Sequence, residues 1–482
     1  MRLVVIGYGM AGSRVVEDVR ARDPHRRIDI TVLGAEKQAA YNRVLLSDVL
    51  AGRTAADDIA LTAAGWPAEA GVDLRLGAAA TGIDRERREV VADDGSRIGY
   101  DRLVLATGSR AWLPPVEGLD VTRPGITVFR TLDDCHAIIA AAHNARRVVV
   151  LGGGLLGLEA ARGLAGRGLA VTVLHFAGHL MERQLDEGAG SVLTRTLGQL
   201  GVEIRTGTTI TGVVGDPITA VQLDDGSTLD ADLLVIACGV RPEVSLARDA
   251  GLQVENGIVV DDALRTVTDQ HIYAVGECAQ HDGQVYGLVA PAWEQARVAA
   301  DQITGTDTRY AGSRVITRLK AAGVDLAAMG ETGGDDIDGV GAEVLQFADP
   351  TRGTYKKVVL RDGRVTGAIL LGQIDTVGTV TQLFDRGAPA PTDRLTLLFG
   401  DRTAPAPAQT PALMPDRATV CQCNGVTKGA ITACVLAGAR TVPEVAAATR
   451  ATTGCGSCHD TVAGITDWLA KAEPDQPAEV IA

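Results

Sequence analysis

The sequence is poor in aromatic residues and carries no excess of positive charge. Phe, Trp and Tyr make up 3% of its 482 residues, and 46 Lys and Arg stand against 60 Asp and Glu, a formal net charge of −14. Clustered Lys and Arg displace counterions from a nucleic-acid backbone, so this balance argues against nucleic-acid binding. No apolar run reaches the roughly 18 residues of a bilayer-spanning helix, so no membrane association is expected.

The cysteines do not form the pattern of a disulfide framework. Four of the eight, Cys135, Cys238, Cys278 and Cys434, stand singly, and the other four cluster near the C-terminus. We interpret the single cysteines as packed, apolar-like thiols. Clustered cysteines in a large chain favour a metal site over disulfides, and the predicted compartment is the cytoplasm.

Glycine is abundant instead, with 57 residues, and it marks an internal repeat. LVVIGYGMAG at residue 3 is echoed by VVVLGGGLLG at residue 148, and RLVLATG at residue 102 by LLVIACG at residue 233. The turn DDGS occurs at residues 93 and 224. Each half reads as a strand, a glycine turn, a helix, a strand and hairpins. This order predicts an α/β fold with two tandem Rossmann-like dinucleotide-binding units and parallel sheets covered on both faces.

The remaining chain divides by composition. Two strands around Asp362-Gly363 predict a hairpin in a small α+β domain at residues 311–400. Prolines at 405, 407, 411 and 415 predict an extended linker over residues 401–418, and residues 419–482 form a small helical cysteine module. The two dinucleotide units are expected at residues 1–113 with 243–310, and at residues 114–242.

The first glycine motif is a dinucleotide-binding fingerprint. It lies between a strand and a helix predicted to begin near Ser13, and its glycines allow a tight turn, backbone approach to a pyrophosphate and close helix packing. Glu36 ends the next strand, where a ribose-binding carboxylate belongs; a solvated strand-end charge is the alternative. The fingerprint glycines are Gly7, Gly9 and Gly12.

A second feature indicates which dinucleotide binds there. Gly276 and Glu277 follow an apolar strand at a predicted helix start. A carboxylate at this place can accept hydrogen bonds from a ribityl chain, which FAD has and a nicotinamide dinucleotide lacks. The alternative is a helix cap with no ligand.

The second glycine motif predicts a nicotinamide dinucleotide site. His175 stands at the strand end where NADH sites carry Asp or Glu and NADPH sites carry Arg or Lys. NADH is favoured because no basic cluster follows; Arg183 is the nearest candidate. Glu159, placed in the first helical turn, could face the nicotinamide or be a surface acid. The motif glycines are Gly152, Gly154 and Gly157.

The cysteine cluster predicts an iron–sulfur centre. Cys421 and Cys423 are separated by 31 residues from Cys455 and Cys458. Four thiolates in two close pairs can hold a tetrahedral metal or an iron–sulfur cluster. A single residue between the first two disfavours zinc, whose pairs usually have about two to four intervening residues. Zinc and uncoordinated thiols remain the alternatives.

These motifs together resemble a known family of reductases. The chain is similar to the FAD/NAD(P)H half of bacterial assimilatory nitrite reductase large subunits, and to the electron-transfer subunits of assimilatory nitrate reductases. The similarity is carried by YGMAG, YNRVLLSDVLAG, YDRLVLATGS, GGGLLGLEAARGLAGRG, HLMERQLD and IYAVGECAQH. CQCNGVTKG with TTGCGSCHDTV resembles the bacterioferritin-associated-ferredoxin-like [2Fe–2S] module. The wider family of pyridine nucleotide reductases includes rubredoxin and ferredoxin reductases.

The resemblance, which covers about residues 1–400 and 419–465, implies site residues. It implies NAD(P)H contacts at the second glycine motif and Glu159, and cluster ligation by the four clustered cysteines. Glu277 departs from the Asp of the wider family. No cysteine pair follows the first motif, where disulfide reductases keep one. The implied FAD contacts are Gly7, Gly9, Gly12, Glu36, Arg43, Ala80, Thr107, Gly108, Gly276 and Glu277.

The expected function is an NAD(P)H dehydrogenase that uses FAD and a [2Fe–2S] cluster to reduce a separate acceptor, a nitrate or nitrite reductase catalytic subunit. No catalytic side chain is predicted, since the cofactors carry the chemistry. The chain ends soon after Cys458, before the sirohaem domain of nitrite reductases, so nitrite reduction by this chain alone is not expected. The alternatives are a ferredoxin- or rubredoxin-type reductase, an NAD(P)H oxidase, or a redox-sensing or iron-handling module. A homo-oligomer is left open.

Overall fold

The first dinucleotide unit is built on a five-stranded parallel sheet. The computed structural model describes residues 1–319, 321–333, 341–400, 411, 414–421, 424–454, 456 and 458–472. The strand order is β19-β7-β1-β2-β3, and β19 enters from far along the chain, so this unit is discontinuous in sequence. Apart from the edge strand β3, its strands are nearly continuous apolar runs, as burial on both faces requires. They are β1 (Arg2–Ile6), β2 (Asp29–Gly34), β3 (Val72–Leu76), β7 (Arg102–Leu105) and β19 (Ile272–Ala274).

Helices and a small antiparallel sheet complete this unit. The helix that follows the first glycine motif packs along the long helix that follows β19, and both contribute to the same hydrophobic core. The elements are α1 (Met10–Arg22), α2 (Leu46–Leu50), α3 (Trp66–Glu69), β4 (Ala80–Asp84), β5 (Glu89–Ala92), β6 (Arg97–Gly99), α7 (Ser245–Asp249), β18 (Ile258–Val260), β20 (Ala279–His281) and α8 (Val289–Thr304).

The second unit repeats the first. Its parallel sheet has the order β12-β11-β10-β16-β9, and its small sheet the order β13-β14-β15. The two DDGS turns join equivalent hairpins, and β7 and β16 take the same place beside β1 and β10. The predicted repeat is therefore present in three dimensions. Its elements are β9 (Ile126–Val128), α4 (Leu132–Ala142), β10 (Arg147–Leu151), α5 (Leu155–Gly166), β11 (Ala170–His175), α6 (Glu187–Gln199), β12 (Val202–Thr206), β13 (Ile210–Val214), β14 (Ala220–Leu223), β15 (Thr228–Asp230) and β16 (Leu233–Ile236).

A short antiparallel pair lies where the chain crosses between the units, β8 (Ser109–Ala111) with β17 (Val240–Pro242). Beyond the units, a five-stranded antiparallel sheet has the order β21-β22-β25-β24-β23, and the hairpin around Asp362-Gly363 forms as predicted. The third domain contains β21 (Ile316–Leu319), β22 (Leu326–Gly330), β23 (Ala342–Asp349), β24 (Thr354–Arg361), β25 (Arg364–Leu371), α9 (Val377–Arg386) and α10 (Thr396–Phe399).

The cysteine module is a small helical unit that begins at Thr419. Its helices enclose a core that includes Cys421 and Cys458. The preceding linker lies mostly outside the described residues. No helix in the described part of the chain has both the length and the apolar character needed to cross a membrane. The module contains β26 (Thr419–Cys421), β27 (Val426–Thr427), α11 (Lys428–Leu436), α12 (Val442–Thr449) and α13 (His459–Ala472).

Three local predictions are wrong. Helix α1 begins at Met10 instead of Ser13, because Gly9 in extended conformation already caps it. Glu159 is the fifth residue of α5, so it lies beyond the first turn. Gly276 opens only a three-residue 3₁₀ turn, after which the chain continues as β20 and pairs with β18.

Candidate cofactor and cluster sites

The first glycine turn is held by two close backbone approaches. Gly7 has φ +100°, and a Cβ there would lie 2.2 Å from the Ala106 carbonyl oxygen. A Cβ on Gly12 would lie 1.9 Å from the Gly7 carbonyl oxygen, whereas one on Gly9 would meet nothing within 4 Å. The outer glycines therefore fix the turn against the sheet and the helix, and the middle one faces open space.

The second turn repeats this arrangement. Gly152 has φ +120° and lies against the Ala237 carbonyl, where a Cβ would be 2.3 Å from the oxygen. A Cβ on Gly157 would be 1.9 Å from the Gly152 oxygen, and one on Gly154 would meet nothing within 4 Å. Neither helix has a side-chain cap or an acid in its first turn, so both helix starts present free N–H groups to an anion.

A cavity of about 430 Å³ opens in front of the first turn and reaches the second unit. Leu155, Leu156 and Glu159 of α5 line it, and Arg318 enters from the third domain. Gly12 is packed behind the turn, and Ala80 lies on β4; among the described residues, neither is part of the cavity wall. The predicted site residues in the wall are Gly7, Gly9, Glu36, Arg43, Thr107, Gly108, Glu159, Gly276 and Glu277.

Glu36 is held at the end of β2 by two neighbours. The Tyr41 hydroxyl donates a hydrogen bond of 2.7 Å to one carboxylate oxygen, and Arg43 pairs with the other at 2.5 Å. The Arg43 guanidinium also lies over the Tyr41 ring, 4.9 Å from its centroid. Burial raises the pKa of Tyr41, so its hydroxyl stays a donor. The carboxylate is thereby oriented before any ligand is present.

Glu277, another carboxylate of the cavity wall, is held in a similar way. It accepts a hydrogen bond of 2.6 Å from the Ser109 hydroxyl and forms an ion pair with Arg130. Arg130 also donates to the Ser109 oxygen at 2.7 Å. Arg130 follows β9 and therefore lies at the carboxyl edge of the second sheet, facing the first unit.

The cavity fits FAD by the chemistry of its walls. Open space over a helix start with free N–H groups suits a pyrophosphate, and oriented carboxylates suit ribose and ribityl hydroxyls. The apolar Leu155 and Leu156 provide a surface for a ring system.

The strand end of the second unit carries neither the acid typical of NADH sites nor the Arg or Lys typical of NADPH sites. His175 is 3% exposed, and its Nδ1 accepts a hydrogen bond of 3.1 Å from the Gly153 N–H. Its Nε2 therefore carries the proton and lies 3.0 Å from a Glu182 carboxylate oxygen. The histidine thus holds a carboxylate beside the second glycine turn, a role that its lone position in the sequence did not reveal.

Two of the four predicted cluster ligands can be described. Cys421 and Cys458 are 1% and 5% exposed within one apolar core, and the Asn424 side-chain amide donates to the Cys421 sulfur at 3.7 Å. Cys423 and Cys455 lie outside the described residues. Buried thiols with an N–H donor to sulfur fit an iron–sulfur cluster, whose potential such bonds adjust.

Three of the single cysteines are thiols whose pKa is raised by burial. Burial raises the pKa of Cys135 to about 11 and that of Cys238 to about 12, and it also raises the pKa of Cys278. Near neutral pH these thiols are protonated, which leaves them poor nucleophiles. Cys434 is partly buried against the module core. All four are free, as the sequence predicted.

Several residues of the site were missed in the sequence. Tyr41, Ser109, Arg130 and Arg318 line the cavity, and the first three orient its carboxylates. The available signal for Arg130 was its place directly after a buried strand of the second sheet. No local spacing pointed to Arg318, since it comes from a separate domain.

Comparison with known proteins identifies the family. Residues 1–302 match the pyridine nucleotide-disulphide oxidoreductase family, residues 316–388 the rubredoxin NAD+ reductase C-terminal domain, and residues 419–467 the BFD-like [2Fe-2S] binding domain. The chain therefore belongs to the pyridine nucleotide-disulphide oxidoreductase family. The predicted oxidoreductase class, the fold class and the cofactors FAD, NAD(P)H and [2Fe–2S] are confirmed by these matches.

Relatives extend the similarity over nearly the whole chain. It is 37% identical to nitrite reductase [NAD(P)H] of Bacillus subtilis (strain 168), over 99% of this chain and 59% of that protein. It is 36% identical to the assimilatory nitrate reductase electron transfer subunit of the same organism, over 99% of this chain and 61% of that protein. The chain thus spans about three fifths of both.

A solved structure has the same fold. The covalent putidaredoxin reductase–putidaredoxin complex is 29% identical with a TM-score of 0.75, over 84% of this chain and 96% of that chain. The predicted resemblance to reductases of this type is confirmed.

Alanine substitution of the middle glycine of each motif tests the two dinucleotide sites one at a time. A methyl group on Gly9 or Gly154 meets no protein atom, so each Ala variant should fold with a melting temperature near that of the wild type. Gly9→Ala should lose FAD, because the methyl group occupies the space where a phosphate approaches. Gly154→Ala should keep FAD and show an NADH affinity lowered by about tenfold or more. Flavin content and NADH titration measure this, and each variant controls for the other. Equal flavin loss in both would contradict the assignment.

The cysteine assignment predicts a spectroscopic outcome. Cys421→Ser and Cys458→Ser should abolish the EPR signal of the reduced [2Fe–2S] cluster and retain stoichiometric FAD. Cys434→Ser, on helix α11 of the same module, is the matched control and should keep the signal. A full cluster signal in Cys421→Ser would show that this cysteine is not a ligand.

Proposed function

We propose that this chain takes hydride from NADH onto FAD and delivers the electrons singly, through its [2Fe–2S] cluster, to a separate acceptor protein. The acceptor proposed is a nitrate or nitrite reductase catalytic subunit. The observation that carries the proposal is the shared cavity, whose wall includes Gly9 of the first glycine turn and Glu159 of the helix that follows the second. A nicotinamide extending from the second turn can therefore meet a ring bound in the first unit.

The chemistry of hydride acceptance and one-electron release is supplied by bound FAD and the cluster. The chain's own groups bind and orient. The free N–H groups at the starts of α1 and α5 would hold the pyrophosphates, and Glu36 and Glu277 would hold hydroxyl groups. Leu155 and Leu156, which line the cavity, would lie against the bound ring and help to exclude water from it.

The preference for NADH rests on the His175–Glu182 pair. A carboxylate fixed beside the second glycine turn accepts a hydrogen bond from a ribose 2′-hydroxyl and repels a 2′-phosphate. Arg183 and Glu182 line the same pocket. Of these two side chains, Glu182 is the one that pairs with His175. The strand end itself has no carboxylate, and Glu182 in the following turn supplies one.

The names of the relatives support the choice of acceptor. One is a nitrite reductase and another an electron transfer subunit of an assimilatory nitrate reductase. We place the activity in the cytoplasm, where thiols stay reduced and nicotinamide cofactors are available.

The proposal is tested with the purified, reconstituted chain. NADH should be oxidised rapidly in the presence of an artificial one-electron acceptor, with reduction of flavin and then of cluster followed by visible absorption and EPR. Nitrite should remain unconsumed until a catalytic subunit is added. Consumption of nitrite by the chain alone, or a protein that stays colourless after reconstitution with flavin, iron and sulfide, would refute the proposal.

Glu182 should decide between the two nicotinamide cofactors. In Glu182→Gln, loss of a charged hydrogen-bond acceptor should raise KM for NADH by about tenfold and lower that for NADPH. The rate of flavin reduction at saturating NADH should stay unchanged. Glu187→Gln is the matched control, because Glu187 lines the same opening without contacting His175. An unchanged ratio of the two KM values would remove Glu182 from the ribose site.

A further inference from the structure

The cysteine module packs directly on the first dinucleotide unit. Met10 and Val289 line the cofactor cavity and also pack against the apolar core that contains Cys421 and Cys458. Met10 belongs to the glycine motif itself, and Val289 is the first residue of α8. A single layer of side chains therefore separates the cavity from the core of the module.

One edge of this contact is held by charged groups. Arg450, at the C-cap of α12, pairs with Glu17 of α1 at 2.5 Å, and the two side chains are 26% and 13% exposed. Arg14, one turn earlier on α1, donates to the Asn424 amide oxygen at 2.8 Å. The guanidinium groups of Arg14 and Arg450 lie 5.3 and 5.9 Å from the ring centroid of fully buried Trp293.

A further contact is made by Asn42, which stands between the cavity residues Tyr41 and Arg43. Its side-chain amide donates to the carbonyl oxygens of Thr453 at 2.8 Å and Gly454 at 2.5 Å. These two carbonyls immediately precede Cys455 in the chain. The module is therefore held on the first unit at two places, at Asn424 and at Thr453–Gly454, each of which is next to a predicted ligand cysteine in the sequence.

The ion pair is better suited to orientation than to stability. Burial raises the pKa of Glu17 to about 7, against the opposing effect of Arg450 and Arg14. Desolvation thus cancels much of the attraction, and such pairs add little net stability. Such pairs do, however, make unfavourable any orientation of the module in which one buried charge is left without its partner.

We propose that Arg450 and Glu17 are positioning residues for electron transfer from the flavin site to the cluster. They hold the module in the orientation that places Asn424 and the Thr453–Gly454 backbone against the first unit. The step concerned moves one electron from the reduced flavin to the oxidised cluster, and no bond forms or breaks. This inference rests on the proposed function and adds to it the residues that control the internal step.

The test is a double-mutant cycle in the full chain, with Arg450→Gln, Glu17→Gln and the double variant. In stopped-flow experiments, flavin reduction by NADH should keep the wild-type rate in all three. Cluster reduction should slow by about tenfold or more in each single variant, because Glu17→Gln leaves the Arg450 guanidinium without its carboxylate and Arg450→Gln removes the group that holds Glu17. The double variant should be no slower than either single variant, since residues that act as one pair are not additive.

Controls separate positioning from damage to the module. The EPR spectrum and iron content after chemical reduction should match those of the wild type. Arg440→Gln removes a guanidinium that donates a hydrogen bond to the Val435 carbonyl within the module. This variant should transfer electrons normally. Glu17 lies on the first unit, so Glu17→Gln tests the pair even where Arg450→Gln loses cluster.

Wild-type rates of cluster reduction in both single variants would overturn the positioning role of the pair and leave the proposed function intact. Strictly additive losses of rate would do the same. A wild-type protein without flavin or cluster would overturn the proposed function, and this proposal with it. The two failures are distinguished by absorption and EPR spectra of the wild type before any variant is compared.

Discussion

The cofactor site depends on one close contact that the chain makes twice. The third glycine of each motif lies against the carbonyl of the first, Gly12 on Gly7 and Gly157 on Gly152, where any Cβ would overlap the oxygen. This contact draws the start of the helix onto the end of the strand. The middle glycine is then the helix cap, with open space in front of it and N–H groups unused by any side chain. Backbone packing thus leaves free N–H groups at each helix start, where they can bind an anion.

The charged side chains are arranged around that backbone frame. Glu36 and Glu277 follow parallel strands of one sheet and so lie at the same edge. Each would be costly in a closed cavity if left alone, and each has a nearby arginine and a hydroxyl donor. Because the arginines come from other segments, the carboxylates are held in orientation without consuming the helix N–H groups. The site is therefore shaped for hydroxyl and phosphate groups before a ligand arrives.

The local patterns of the sequence predict much of the fold, whereas contacts between distant segments leave no such pattern. The repeat, the parallel sheets and the glycine turns are visible as apolar runs and motifs of about ten residues each. The pairing of Arg130 with Glu277 spans 147 positions, and that of Arg14 with Asn424 spans 410. The role of His175 was missed although Glu182 is only seven residues away, because no spacing signal marks the turn that brings Glu182 back to the strand end. The helix starts were misplaced since a glycine cap leaves no side-chain signal.

The docked module also constrains how electrons can leave it. Asn424 and the Thr453–Gly454 backbone lie against Arg14 and Asn42 of the first unit. An acceptor protein cannot occupy that same face while the contact is closed. Under the proposed function, reduction of the cluster and release of its electron through this face would alternate. A contact held by a largely desolvated ion pair is suited to such alternation, because its orientation is strict while its net stabilisation is small.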